Sequence, residues 1–96
     1  MIKEYQTGDS VRFSVTFIGM DSGEVTDPNP VIFRILDSEK NEVFSKELDS
    51  NYSPSTGVYQ CNYIFDTEGK FCYEFSGVIE GNVSLRRDAV KIVFCK

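Results

Sequence analysis

The stretch Ser55-Thr56-Gly57-Val58-Tyr59-Gln60-Cys61-Asn62-Tyr63-Ile64-Phe65-Asp66-Thr67-Glu68-Gly69-Lys70-Phe71-Cys72-Tyr73-Glu74-Phe75 decides the fold. In an extended chain Tyr59, Cys61 and Tyr63 share one face by period two. Phe71, Tyr73 and Phe75 do the same beyond a short polar connection, Asp66-Thr67-Glu68-Gly69. That connection is short enough to join neighbouring strands or to arch over the end of a two-layer structure. Six large or soft side chains aligned in this way need a second layer to cover them. Val11, Phe13, Val15 and Phe17 are the residues expected to supply it, which makes two packed β-sheets the reading.

Upstream, 2–6 reads as a short opening strand, and 10–18 carries the cleanest alternation in the chain. Val11, Phe13, Val15 and Phe17 turn inward there; Ser10, Arg12, Ser14 and Thr16 turn outward. The connection 19–30 ends in Pro28-Asn29-Pro30, which holds it extended between sheets. Its acids Asp21, Glu24 and Asp27 lack the every-second-residue density of a calcium loop, so a solvated loop is expected. Val31-Ile32-Phe33-Arg34-Ile35-Leu36 follows as a strand with Val31, Phe33 and Ile35 inward and Ile32, Arg34 and Leu36 outward. A turn over 37–41, with Asn41 as the left-handed residue, leads to a shorter strand over 42–48. In that strand Phe44 faces away from Val43 and Ser45.

Downstream, Gly81-Asn82 is expected as a two-residue turn, and Gly77-x-x-x-Gly81 as turn chemistry. The last strand, 84–94, should contribute Ala89, Ile92 and Phe94 to the core, with a bulge at Arg86-Arg87-Asp88. No stretch repeats apolar residues at helical spacing over three turns.

The 96 residues suffice for one domain, 1–96, with a single core. Eight Phe and five Tyr favour β structure. A net charge of −5, with Arg86-Arg87 the one basic doublet, argues against nucleic acid as a partner. No apolar run reaches the length of a membrane span and no signal-peptide core follows Met1, so a chain made in the cytosol is expected, with no membrane partner. Its three cysteines, Cys61, Cys72 and Cys95, fit no zinc spacing and are read as reduced thiols.

The absence of histidine removes the usual general base and the triads built on it. Carboxylate pairs such as Asp66 with Glu68 or Glu39 with Glu42 sit in turns, where acids serve as solvating charges. Cys61 has the parity of a buried thiol rather than of a nucleophile. The expectation is a protein that is not an enzyme and takes no cofactor, metal or small-molecule substrate. What remains is the surface: Ile32, Leu36, Ile64, Ile79 and Leu85 are apolar at outward positions. Ile32, Leu36 and Ile64 would make a patch for a partner, or for a copy of the chain, if their strands are neighbours.

The order of motifs carries a resemblance. Tyr5-Gln6-Thr7-Gly8-Asp9-Ser10-Val11-Arg12-Phe13, then Val31-Ile32-Phe33-Arg34-Ile35-Leu36-Asp37, then Ser55-Thr56-Gly57-Val58-Tyr59, then Glu68-Gly69-Lys70-Phe71-Cys72-Tyr73-Glu74-Phe75-Ser76-Gly77 is similar to the small immunoglobulin-like proteins of tailed-bacteriophage virions. Bacterial macroglobulin-like and adhesin-type sandwich domains share the Thr-Gly-Val-Tyr and Gly-x-aromatic-x-aromatic elements. The chain departs from antibody domains in lacking a Cys…Trp…Cys core. The resemblance implies an all-β, immunoglobulin-like antiparallel sandwich of about seven strands. It also implies a non-enzymatic virion structural protein, made in the host cytoplasm, that decorates the head or joins head to tail. Its partners would be capsid or neck proteins and copies of itself. Contacts are expected from Ile32, Arg34, Leu36 and Ile64, with Arg86 and Arg87 as charged anchors. The rival is a carbohydrate- or receptor-binding module of a larger adhesion system, for which Tyr52 beside Asn51 is the candidate platform; as a loop anchor, Tyr52 would instead pack on the end of the sandwich.

Overall fold

The period-two parities of 10–17 and 59–75 persist in three dimensions. The computed structural model describes residues 3–19, 23, 28, 30–79 and 81–94. Through them run strands β1 (Lys3–Gln6), β2 (Ser10–Thr16), β3 (Val31–Leu36), β4 (Glu42–Leu48), β5 (Val58–Ile64), β6 (Gly69–Ile79) and β7 (Asn82–Val93). A one-turn 3-10 helix, Ser50–Tyr52, lies between β4 and β5. The larger sheet has the order β1-β7-β6-β3-β4, and β2 and β5 make the smaller one. Every pairing is antiparallel except that of β1 with β7. The protein is an immunoglobulin-like β-sandwich, split five and two rather than the four and three of a constant-type domain.

The polar connection after β5 arches between layers. β5 pairs with β2, whereas β6 lies between β3 and β7 in the opposite sheet. The two aromatic strands therefore face each other across the core instead of forming a hairpin. β2 is the in-plane neighbour of β5, so Val11, Phe13, Val15 and Phe17 extend its layer and do not cover it. Phe65 closes the end where the chain crosses: 2% exposed, it lies edge-on to Tyr63 at 4.9 Å and tilted against Phe71 at 5.0 Å. Between the layers, Phe13 meets Phe33 at 5.4 Å and Tyr73 at 4.5 Å, and Phe44 meets Tyr63 at 4.9 Å. β2 thus lies above β3 and β6, and β5 above β4. β7 and β1 extend beyond the smaller sheet.

Several local expectations change. Pairing of β6 with β7 runs without interruption from Gly69↔Ile92 to Ile79↔Asn82, so no bulge exists at Arg86-Arg87-Asp88. Asn82 pairs with Ile79 and belongs to β7, so it is not the second residue of a Gly81-Asn82 turn; Gly81 has φ +78°. In β7 the core residues are Val90 and Ile92; Ala89 is half-buried on the other face and Phe94 is 74% exposed. Ile79 is 4% exposed and belongs to the core, not to the outer face. Lys40, not Asn41, takes the left-handed conformation (φ +69°), and the irregularity comes between Ile35 and Leu36, where β4 has Val43 extra. Ile2, Cys95 and the acids Asp21, Glu24 and Asp27 lie outside the described residues.

Gly77 has a packing role rather than a turn role. It lies within β6, and a Cβ built there would sit 2.7 Å from Cβ and 2.8 Å from Cγ of Pro28, and 3.2 Å from Cε1 of Phe17. The proline ring cannot rotate away, so the close approach of Pro28 to β6 requires glycine. Gly77→Ala is expected to destabilise the fold by about 1–3 kcal/mol through overpacking, read from the urea unfolding midpoint.

Candidate functional site

The outer face of the larger sheet is where the chain concentrates side chains that the core does not need. Alternate residues of β7, β6 and β3 point away from β2 and β5, and the register aligns them into rows across the strands. Leu85, Ser76 and Ile32 form one row; Arg87, Glu74 and Arg34 form the next; Ala89, Cys72 and Leu36 form a third. Val83 and Val78 extend the apolar part toward the β6–β7 turn, at 69% and 38% exposure. An ionic row lies between two apolar ones.

Glu74 organises that row. It is 3% exposed although it faces outward, because the arginines on both neighbouring strands cover it. Nε of Arg87 donates to Oε1 of Glu74 at 2.7 Å, a charge-assisted bond. Nη1 of Arg34 lies 3.6 Å from Oε2, and Nε of Arg34 lies 3.6 Å from Glu42. That Nε is buried and makes no hydrogen bond. The guanidinium groups are therefore anchored at one side while their side chains remain 41% and 59% exposed. Next to them a concavity of about 580 Å³ has Leu36, Cys72 and Ala89 on its floor, with Lys40 and Lys70 also lining it. The other acids nearby are Glu42, paired with Arg34, and Asp37, whose Oδ1 accepts from the backbone N–H groups of Glu39 and Asn41 at 2.9 Å. On a chain of net charge −5, this face is locally cationic.

Of the expected contact residues, Ile32, Arg34, Leu36 and Arg87 come together here. Ile64 does not: it is 57% exposed on β5, in the opposite layer, and cannot join Ile32 and Leu36. Arg86 and Arg87 point to opposite faces, since adjacent strand residues alternate. Arg86 stands opposite Phe75 on the inner side, exposed because the smaller sheet does not reach over β7. Sequence reading passed over Glu74, whose parity with Cys72 and Ser76 is the signal that it shares the outer face.

Tyr52 is half-buried against the core, and the ammonium of Lys46 sits 5.3 Å above its ring. Its bond to Tyr52 raises the pKa of Lys46. The hollow of about 440 Å³ beside Tyr52, Asn51 and Gln60 thus offers no bare aromatic platform. Among the described residues no group of three or more His, Cys, Asp or Glu side chains could hold a metal ion. Compared with known protein families, curated proteins and solved structures, the chain finds no match in any of the three.

Two outcomes follow from the charges. Glu74→Gln leaves two half-exposed guanidinium groups that water can solvate, at a cost of about 1 kcal/mol. Arg34→Ala combined with Arg87→Ala uncovers a carboxylate with no partner and should cost more, about 2–3 kcal/mol, in the same urea titration. Burial also pushes the thiols of Cys61 and Cys72 and the phenols of Tyr63 and Tyr73 up from their ordinary values. The unfolded chain releases these protons first. Stability should therefore be full below the ordinary thiol value of about 8.5 and fall as pH rises through the raised folded values. A urea midpoint that does not decrease between neutral and strongly alkaline pH would contradict this.

Proposed function

We propose that this chain is a non-enzymatic virion structural protein of the tailed-bacteriophage type. It would attach to a capsid or head-to-tail connector protein through the outer face of its five-stranded sheet and assemble in the host cytoplasm. The motif order described above supports the class. The observation that carries the attachment face is the buried Glu74 carboxylate, which holds Arg34 and Arg87 between two apolar rows.

A sheet face that only meets water has no need of a desolvated acid. Arginines fixed in orientation, next to a shallow apolar floor, resemble the centre of a protein interface, where Arg is enriched and exposed aliphatic residues become buried. The half-exposed guanidinium groups of Arg34 and Arg87, with Lys40 and Lys70 beside them, favour a partner that presents carboxylates. A face of this size gives modest affinity per copy, and repetition around a particle turns many such contacts into firm attachment.

Co-sedimentation with empty capsids and with isolated neck complexes tests the reading. Arg34→Glu with Arg87→Glu should weaken binding to one of these at least about tenfold, a loss of about 1.4 kcal/mol. Ile64→Glu and Arg86→Glu, on other surfaces, should leave it unchanged. Equal binding by all three variants, or no binding by the unaltered chain, removes the proposal.

A further inference from the structure

Among the described residues each strand of the smaller sheet has one unpaired edge, and that of β2 borders the overhanging strands of the larger sheet. Among the described residues β2 has one hydrogen-bonded neighbour, β5. The N–H of Phe17 donates to the carbonyl of Gly57 at 2.8 Å, so Val11, Phe13 and Val15 spend their backbone groups on β5 by the same alternation. The N–H and C=O groups of Arg12, Ser14 and Thr16 then point the other way, along the free edge. Edge strands are ordinarily blunted by shortness, bulges, proline or a run of charge. β1 has four residues, and β4 has the irregularity at Val43 together with Glu42, Lys46 and Glu47. β2 and β5 each keep seven residues in continuous register with no proline, but the 3-10 helix Ser50–Tyr52 lies against β5, whereas β2 has one charge, Arg12, and no such neighbour among the described residues.

Below that edge the two layers do not close. A groove of about 230 Å³ runs beside β2 over the overhanging strands, lined by Lys3, Tyr5, Phe13, Tyr73, Asp88 and Val90. Because β2 lies above β3 and β6, the larger sheet extends past it by two strands, about 10 Å. One strand, about 5 Å wide, fits above that shelf. A second copy pairing β2 with β2 would bring its own five-stranded sheet into the space β1 and β7 already fill. The shelf therefore selects a lone extended segment over another sandwich.

We propose that the open edge of β2 accepts an extended segment of another protein as a third strand of the smaller sheet, with acidic residues beside Arg12 on the outer side and apolar residues laid over the half-buried Tyr5 and Tyr73 on the inner. Its backbone would pair with Arg12, Ser14 and Thr16. Residues between those pairings would turn down into the groove, and residues at them would face solvent next to Arg12. This contact is separate from the outer face of the larger sheet and does not depend on it.

A displayed library of random peptides of about β2's own length, panned on the intact chain and on Ser14→Pro, tests the proposal. The N–H of Ser14 points away from β5, so proline there spares the β2–β5 ladder and removes a donor an added strand needs. Circular dichroism and the urea midpoint establish that the variant is folded. Enriched peptides should alternate apolar with polar residues, carry acids at the outward positions and bind Ser14→Pro at least about tenfold more weakly. They should slow amide exchange at Arg12, Ser14 and Thr16, and Arg12→Glu should switch the selected charge from acidic to basic. This charge switch tests the edge even where the proline variant does not fold. Arg34→Glu with Arg87→Glu should leave peptide binding unchanged. Absence of enrichment, peptides without alternation, or equal retention by a folded Ser14→Pro chain overturns the assignment.

Discussion

The ring of Phe13, set between Phe33 and Tyr73 at 5.4 and 4.5 Å, is the contact on which the rest of the structure depends. It is the point where a sheet of two strands is pinned to a sheet of five. A layer that narrow cannot cover a five-stranded face, and it must be placed over part of it. Phe13 places β2 above β3 and β6, and the contact of Phe44 with Tyr63 places β5 above β4. Among the described residues the inner positions of β7 that go uncovered are Arg86 and Asp88, on the side away from β4. That single offset accounts for the exposure of Arg86, for the groove beside Tyr5, and for an edge on β2 with nothing next to it among the described residues.

The outer face obeys a different constraint. A carboxylate taken out of water on a sheet surface must be compensated, and Glu74 is compensated from both neighbouring strands. Ion pairs of this kind contribute little net stability compared with apolar residues of similar size, so the core does not account for this one. Its effect is on direction. With Glu74 beneath them, Arg34 and Arg87 lose conformational freedom before any partner arrives, which lowers the ordering cost of a contact made there. Preorganisation of charge, rather than amount of apolar area, distinguishes this face from scattered exposed residues such as Ile18 and Ile64.

Period two made the two faces of each strand legible in the sequence. Val11, Phe13, Val15, Phe17, Val31, Phe33 and Ile35 are buried as their spacing requires, and Ile32, Arg34 and Leu36 lie outside. Neighbour relations were not legible, because alternation fixes which way a side chain points and not which strand lies beside it. For that reason Ile64 was grouped with Ile32 and Leu36, although their strands belong to different layers. The last strand misled in another way. Its inner positions include Arg86 and Asp88, so polar residues occupy the buried parity where β7 runs out from under the smaller sheet, and the pattern mimicked a bulge. Glu74 escaped notice because a lone acid between aromatics reads as a solvent-facing residue until the arginines on either side are known to be its neighbours.

The two proposed surfaces belong to opposite layers. One is the outward side of β3, β6 and β7; the other is the edge of β2, reached across the shelf of β7 and β1. β7 contributes to both, through Arg87 on one side and Val90 on the other. A partner seated on the outer face would not cover the groove, and a strand laid in the groove would not touch Glu74. A chain so arranged can be held at two places at once, by side chains on one layer and by backbone on the other. This is the geometry a small component needs in order to bridge two larger ones.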